Sequence, residues 1–143
     1  MDQSKVNDVA AYFDEGYSCS QSVLAAYCEE FGLEQETAFL IASGFGGGMG
    51  RLQETCGAVT GAFMVLGLKY GYFEAGNKAA KELTYAKVQE FAALFEERNK
   101  TLKCIDLIGE DMRHGDLMQA MARVKEICPK LVKDAAEILE ELL

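Results

Sequence analysis

Apolar residues recur at three- and four-residue spacing along most of the chain, while strict apolar–polar alternation is nearly absent, so the pattern predicts helices and no sheet. A first helix is expected over residues 5–15, with Val6, Val9, Ala10 and Phe13 on one face and Gly16 as its stop. A second starts at Ser18 or Ser20, where serine is a favoured cap, and runs to Phe31. Val23, Leu24, Tyr27 and Phe31 face the core, and Gly32 ends it. A short third helix over 35–43 leads into Gly44-Phe45-Gly46-Gly47-Gly48-Met49-Gly50. That run suits neither helix nor strand, and its freedom of φ marks a strained or tightly packed loop.

A fourth helix is expected to begin near Gln53 or Glu54 and to carry Cys56, Val59, Thr60, Phe63, Met64 and Leu66 to about Tyr70. Gly57 and Gly61 lie four apart on one face of it, which lets another helix approach the backbone. After a turn over 71–76 comes a long amphipathic helix over about 77–99, with Leu83, Val88, Phe91, Leu94 and Phe95 apolar. Thr101 can cap a short helix with Leu102, Cys104, Ile105 and Ile108, which Gly109 can end. A further helix with Leu117, Met121 and Val124 runs from about 115 or 116 to 127, and Pro129, at a first helical position, opens the last one. The expected fold is therefore all-α: a single-domain bundle of about six or seven helices with a glycine-rich loop, spanning residues 1–143.

Composition agrees. A chain of 143 residues, half of them hydrophobic, can bury a core without disulfide staples. A formal charge of -9 argues against nucleic acid, whose binding needs clustered Lys and Arg. The acidic residues are spread along the helical segments and read as solvated faces. Residues 1–14 lack the basic start and continuous apolar run of a signal peptide, so a cytoplasmic location is expected. The most apolar stretch, residues 62–68, is broken by Gly67 and followed by Lys69, so no membrane span is expected.

The chemistry rests on cysteine. Five cysteines, an odd number, do not suggest a secreted disulfide framework; they suggest reactive thiols or metal ligands. Cys19, Cys56, Cys104 and Cys128 all fall at or within a turn of a predicted helix N-terminus, where unpaired N–H groups and the helix dipole stabilise a thiolate. Cys28 lies nine residues after Cys19, on the opposite face of its helix, and reads as a buried structural residue. Four thiols suit disulfide chemistry or the holding of zinc or an iron–sulfur cluster. No C-x-x-C pair supports a metal site, but Gly46, Gly47, Gly48 and Gly50 offer backbone N–H groups to thiolates or cluster sulfurs.

The glycine run does not fit G-x-G-x-x-G, since Met49 and Arg51 occupy the third-glycine positions, and no Gly-Lys-Ser/Thr follows it. His114, the only histidine, sits in a polar turn and reads as exposed, and the six methionines read as core filling.

The run Thr55-Cys56-Gly57-Ala58-Val59-Thr60-Gly61, with Gly46-Gly47-Gly48-Met49-Gly50 before it and Ala62-Phe63-Met64-Val65-Leu66-Gly67-Leu68 after it, resembles the C_GCAxxG_C_C family of redox-active proteins. That family is defined by four cysteines and a CGAxxG motif. Here the motif falls on Cys56, Gly57, Ala58 and Gly61. Cys19, in Tyr17-Ser18-Cys19-Ser20-Gln21, matches the earlier cysteine, and Cys104 and Cys128 match the later two. The resemblance implies redox activity, kinship of some members with haem-carrying electron-transfer proteins, and cluster binding in relatives. It implies no defined substrate.

Three readings follow. The chain is a thiol redox or electron-transfer protein, as oxidoreductase or electron carrier, acting through Cys19, Cys56, Cys104 and Cys128; or a metal-binding module in which the same cysteines hold an iron–sulfur cluster or zinc; or a helical interaction module with incidental cysteines. The first two require the four cysteines to converge, with the glycine run against their pocket. No electron donor or acceptor is named by the residues, and the amphipathic helices are compatible with a homodimer.

Overall fold

The computed structural model describes residues 3–143, so the first two residues of the stretch read for a signal peptide lie outside the described residues. Among the described residues the chain is a single all-helical domain of seven packed helices: α1 (Gln3–Glu15), α2 (Cys19–Tyr27), α3 (Gln35–Ala42), α4 (Gly57–Tyr70), α5 (Lys78–Asn99), α6 (Cys104–Ile108) and α7 (Leu117–Leu142). Most ends follow from local chemistry. Ser18 caps α2 in a reciprocal box with Gln21, and α2 tightens into a 3-10 turn, Cys28–Phe31, that stops at left-handed Gly32. Asn77 and Asp116 accept hydrogen bonds from Ala80 and Gln119 at the starts of α5 and α7, and left-handed Gly109 ends α6.

Helix α2 lies in the middle, against α1, α3, α4 and α7, and all of its residues but Gln21 are buried. Its closest partner is α4, along the Gly57–Gly61 face. A Cβ on Gly61 would lie 2.8 Å from the Ser20 carbonyl oxygen and 3.1 Å from Val23 Cβ, so the two backbones meet where side chains are missing. Val6 and Val9 of α1, Phe91 and Phe95 of α5, and Leu131, Val132, Ile138 and Leu139 of α7 close the core around this pair. Ala10 and Leu83, expected inside, face solvent.

Helix α7 departs from expectation. It runs unbroken through Pro129, where the sequence pattern suggests one helix ending and another beginning. Proline removes the N–H that would bond the Lys125 carbonyl, at a cost of about 3 kcal/mol in a helix interior. Against this, Ala120, Cys128, Leu131, Ala135, Ile138 and Leu142 are buried at a spacing that stays helical across the proline, which is itself exposed. One continuous stripe of burial outweighs one missing bond.

Helix α4 also starts later than expected, at Gly57. Residues 53–56 are instead drawn into a short backbone pairing with residues 102–105. Cys56 donates to the Leu102 carbonyl at 2.7 Å, Cys104 to Glu54 at 2.7 Å and Ile105 to Gln53 at 3.1 Å, around an isolated antiparallel bridge of Thr55 and Lys103. No described helix is long and apolar enough to cross a membrane.

Candidate functional site

The glycine run folds as a left-handed turn. Gly47, Gly48, Met49, Gly50 and Arg51 all have φ between 60° and 68°, and Gln53 follows with φ 57°. Left-handed backbone costs a non-glycine residue roughly 1–2 kcal/mol, so Met49, Arg51 and Gln53 are strained. Hydrogen bonds offset the strain: Gly50 to Gly46 at 2.8 Å, Gln53 to Gly47 at 3.1 Å and Glu54 to Gly48 at 3.0 Å. The buried Gln53 side chain adds two more, donating to the Glu110 carbonyl and accepting from Met112 N–H, each at 2.8 Å. The turn is thereby pinned between α2, α4 and the segment after α6.

Beside it opens a cavity of about 890 Å³, and Cys19, Cys56, Cys104 and Cys128 all line it. Four separate elements deliver them. Cys19 is the first residue of α2, Cys56 the N-cap of α4, and Cys104 the first residue of α6. Cys128, expected at a helix start, sits in the interior of α7 because that helix does not break at Pro129. The backbone pairing of residues 53–56 with 102–105 locks Cys56 and Cys104 in register. Gly46, Gly47 and Gly50 also line the cavity. Gly48 stands behind the wall, where a Cβ would lie 2.6 Å from Cys104 Cβ and 2.7 Å from Gln53 Cα. Cys28 lies outside the cavity, fully buried, with its thiol donating to the Ala25 carbonyl at 3.4 Å. His114 is exposed and paired with Asp111.

The four thiols are electrostatically unequal. Cys56 donates a hydrogen bond to Cys19, which is the largest influence drawing Cys19 down to about 7. Burial opposes it, and backbone N–H groups of Gly47, Ser20 and Cys19 itself assist. The same bond pushes Cys56 well above the ordinary thiol value, with burial and the Cys19 charge adding. The pair thus loses one proton readily and holds the second. Burial, then the Cys19 charge, pushes Cys104 up to about 11, although a hydrogen bond from Gln53 pulls the other way. Cys128 is pushed up to about 12 by burial and by the charges of Cys19 and Cys104.

A single tetrahedral ion needs four donors about 2.3 Å from one point. Among the described residues no three or more His, Cys, Asp or Glu are grouped to hold a metal ion. Arg51, Gln53, Met112 and Lys125 belong to the site as well and were not expected from the sequence as functional residues. Only the burial of Gln53 and the fold of α7 identify them, and the one sequence signal near any of them is the glycine run that precedes Arg51.

Comparison with known families bears on this arrangement. Residues 17–142 match the family described as "Putative redox-active protein (C_GCAxxG_C_C)", and the chain belongs to that family. No curated protein and no solved structure matches the chain.

Proposed function

We propose that this chain is a thiol–disulfide redox protein in which Cys19 is the nucleophile, Cys56 the resolving thiol, and Cys104 and Cys128 a second thiol pair on the same cavity. The observation that carries this reading is the seating of the Cys19 sulfur against Gly57, the residue after Cys56, on a cavity that also receives the other two cysteines. Gly47 supports it, since its N–H points at the Cys19 sulfur and stabilises the thiolate, while Gly46, Gly48 and Gly50 shape the turn that presents this N–H. In the reaction the Cys19 thiolate attacks one sulfur of a disulfide and displaces a thiolate. The Cys56 thiol then loses its proton and attacks Cys19, expelling the second thiolate. Two electrons leave the protein and one internal disulfide forms.

Single-turnover oxidation of the reduced protein by a small disulfide, with peptide mapping, tests this. A Cys19–Cys56 bond is expected, with a trapped mixed disulfide on Cys19 in Cys56→Ser and no reaction at Cys56 in Cys19→Ser. Oxidation that spares Cys19 overturns the reading.

The cavity itself favours a second reading. A volume of about 890 Å³ walled by four cysteines is more than a thiol pair needs, and it offers room for an iron–sulfur cluster, which would supply one-electron transfer. Absorbance between about 300 and 500 nm with iron analysis of anaerobically prepared protein separates the two.

A further inference from the structure

The cavity is of the size that takes a small organic molecule rather than a protein segment. Phe13, Leu107, Ile108, Met121, Val124 and Leu131 give it apolar walls. Its fixed charges are two cations, Arg51 on the left-handed turn and Lys125 on α7, and one carboxylate, Asp14 at the end of α1. Among the described residues neither cation has an ion-pair or hydrogen-bond partner for its side chain. Arg51 is held there by its backbone: its φ of 67° folds the side chain back over the turn, with Cγ about 3.0 Å from where a Gly47 Cβ would stand. Strain is thus spent on keeping an unpaired guanidinium beside the pocket of Cys19. In a chain of net charge -9, two cations against one carboxylate at this thiol-lined cavity run against the molecule's overall field and leave the Cys19 thiolate locally balanced.

We infer that the cavity takes a small disulfide bearing carboxylate groups, with Arg51 and Lys125 holding the carboxylates while the disulfide lies against Cys19. This rests on the thiol–disulfide reading above and specifies its substrate class. The step is balanced by the substrate itself: its S–S bond breaks, two thiols of the substrate are released, and the Cys19 and Cys56 thiols become a disulfide. Arginine suits this task because its planar fork bonds both oxygens of a carboxylate, and lysine adds a point charge. Asp14 works against the two cations, so its neutralisation strengthens the selection.

The test compares three disulfides of similar size on the reduced full-length protein: dianionic 3,3'-dithiodipropionate, neutral 2-hydroxyethyl disulfide and dicationic cystamine. Rates of Cys19–Cys56 disulfide formation are expected to fall in that order, with the dianion about tenfold faster than the dication at low ionic strength. That order is opposite to what the negative chain alone dictates. Arg51→Gln with Lys125→Gln is expected to abolish the preference, so that the dianion's rate falls to that of the neutral probe measured on the same variant, Asp14→Asn to enlarge it, and added salt to shrink it. Helical circular dichroism serves as the folding control for these surface variants. If the neutral probe oxidises Cys19 and Cys56 but the dianion gains no advantage that the double variant removes, the substrate class is wrong and the thiol reading stands. If no probe oxidises this pair, the thiol reading falls and the substrate class falls with it.

Discussion

One shared proton separates Cys19 from Cys56, and the two cysteines divide the work accordingly. Cys19 carries charge near neutrality because Cys56 donates to it, while Cys56 keeps its proton until Cys19 has been consumed. The rate of iodoacetamide alkylation at Cys19 is therefore expected to rise with pH through about 7 and then level off. Cys104 and Cys128, pushed up to about 11 and about 12, stay largely unreactive over the same range. In Cys56→Ala the donor is lost, burial of Cys19 is left less opposed, and the midpoint moves upward. A midpoint in that variant equal to the parent's removes Cys56 as the cause. Cys28→Ala separates structure from chemistry: losing a buried sulfur outside the cavity is expected to cost about 1 kcal/mol in denaturant unfolding and to leave the Cys19 titration where it was.

At the level of elements, the left-handed turn and α7 do the positioning. Gly48→Ala would place a methyl 2.6 Å from Cys104 Cβ on a backbone with φ 65°, so overpacking and left-handed strain act together. A loss of about 2–4 kcal/mol is expected in chemical denaturation. A smaller loss than 1 kcal/mol would mean the turn yields easily and does not hold the wall rigid. Pro129→Ala restores an N–H to α7 without touching its buried stripe, and is expected to raise the melting temperature with helix content unchanged or higher. Asp134, buried between α5 and α7, accepts from Arg98 at 3.2 Å, Asn99 at 3.1 Å and Lys130 at 2.6 Å. Much of this architecture is legible in the sequence, because Gly16, Gly32 and Gly109, Ser18, Asn77 and Asp116 stop or start helices by short-range chemistry. Legibility fails where distant chain decides. Residues 53–56 look helical alone, and only their pairing with residues 102–105 keeps them out of the helix. Pro129 looks like a boundary, and only the buried stripe on both sides of it shows otherwise. The four cysteines and the glycines are visible as candidates by residue type and family motif, whereas Arg51 and Lys125 enter the site through the strained turn and the unbroken α7, neither of which has a local signature.

For the molecule as a whole, the cavity joins elements that the chain keeps far apart, so oxidation is a change in connectivity as well as in charge. Cys19 opens α2 and Cys56 caps α4, the two helices packed most closely at the centre of the bundle. A disulfide between them closes a loop of roughly 40 residues in the unfolded chain, which chain-entropy arguments value at about 4 kcal/mol. The folded state already seats the Cys19 sulfur against Gly57, the residue after Cys56, where α2 and α4 pack together. Oxidation also removes a buried thiolate whose charge disfavours ionisation of Cys104 and Cys128. The oxidised protein is therefore expected to melt on the order of 10 °C above the reduced protein in calorimetry, with the shift reversed by a dithiol reductant. Cys28→Ala should show the same shift and Cys56→Ser none. An oxidised form with a mapped Cys19–Cys56 bond and an unchanged or lower melting temperature would show that the bond distorts the α2–α4 contact. The relaxed pairing of the two thiols would then be the wrong description of the site.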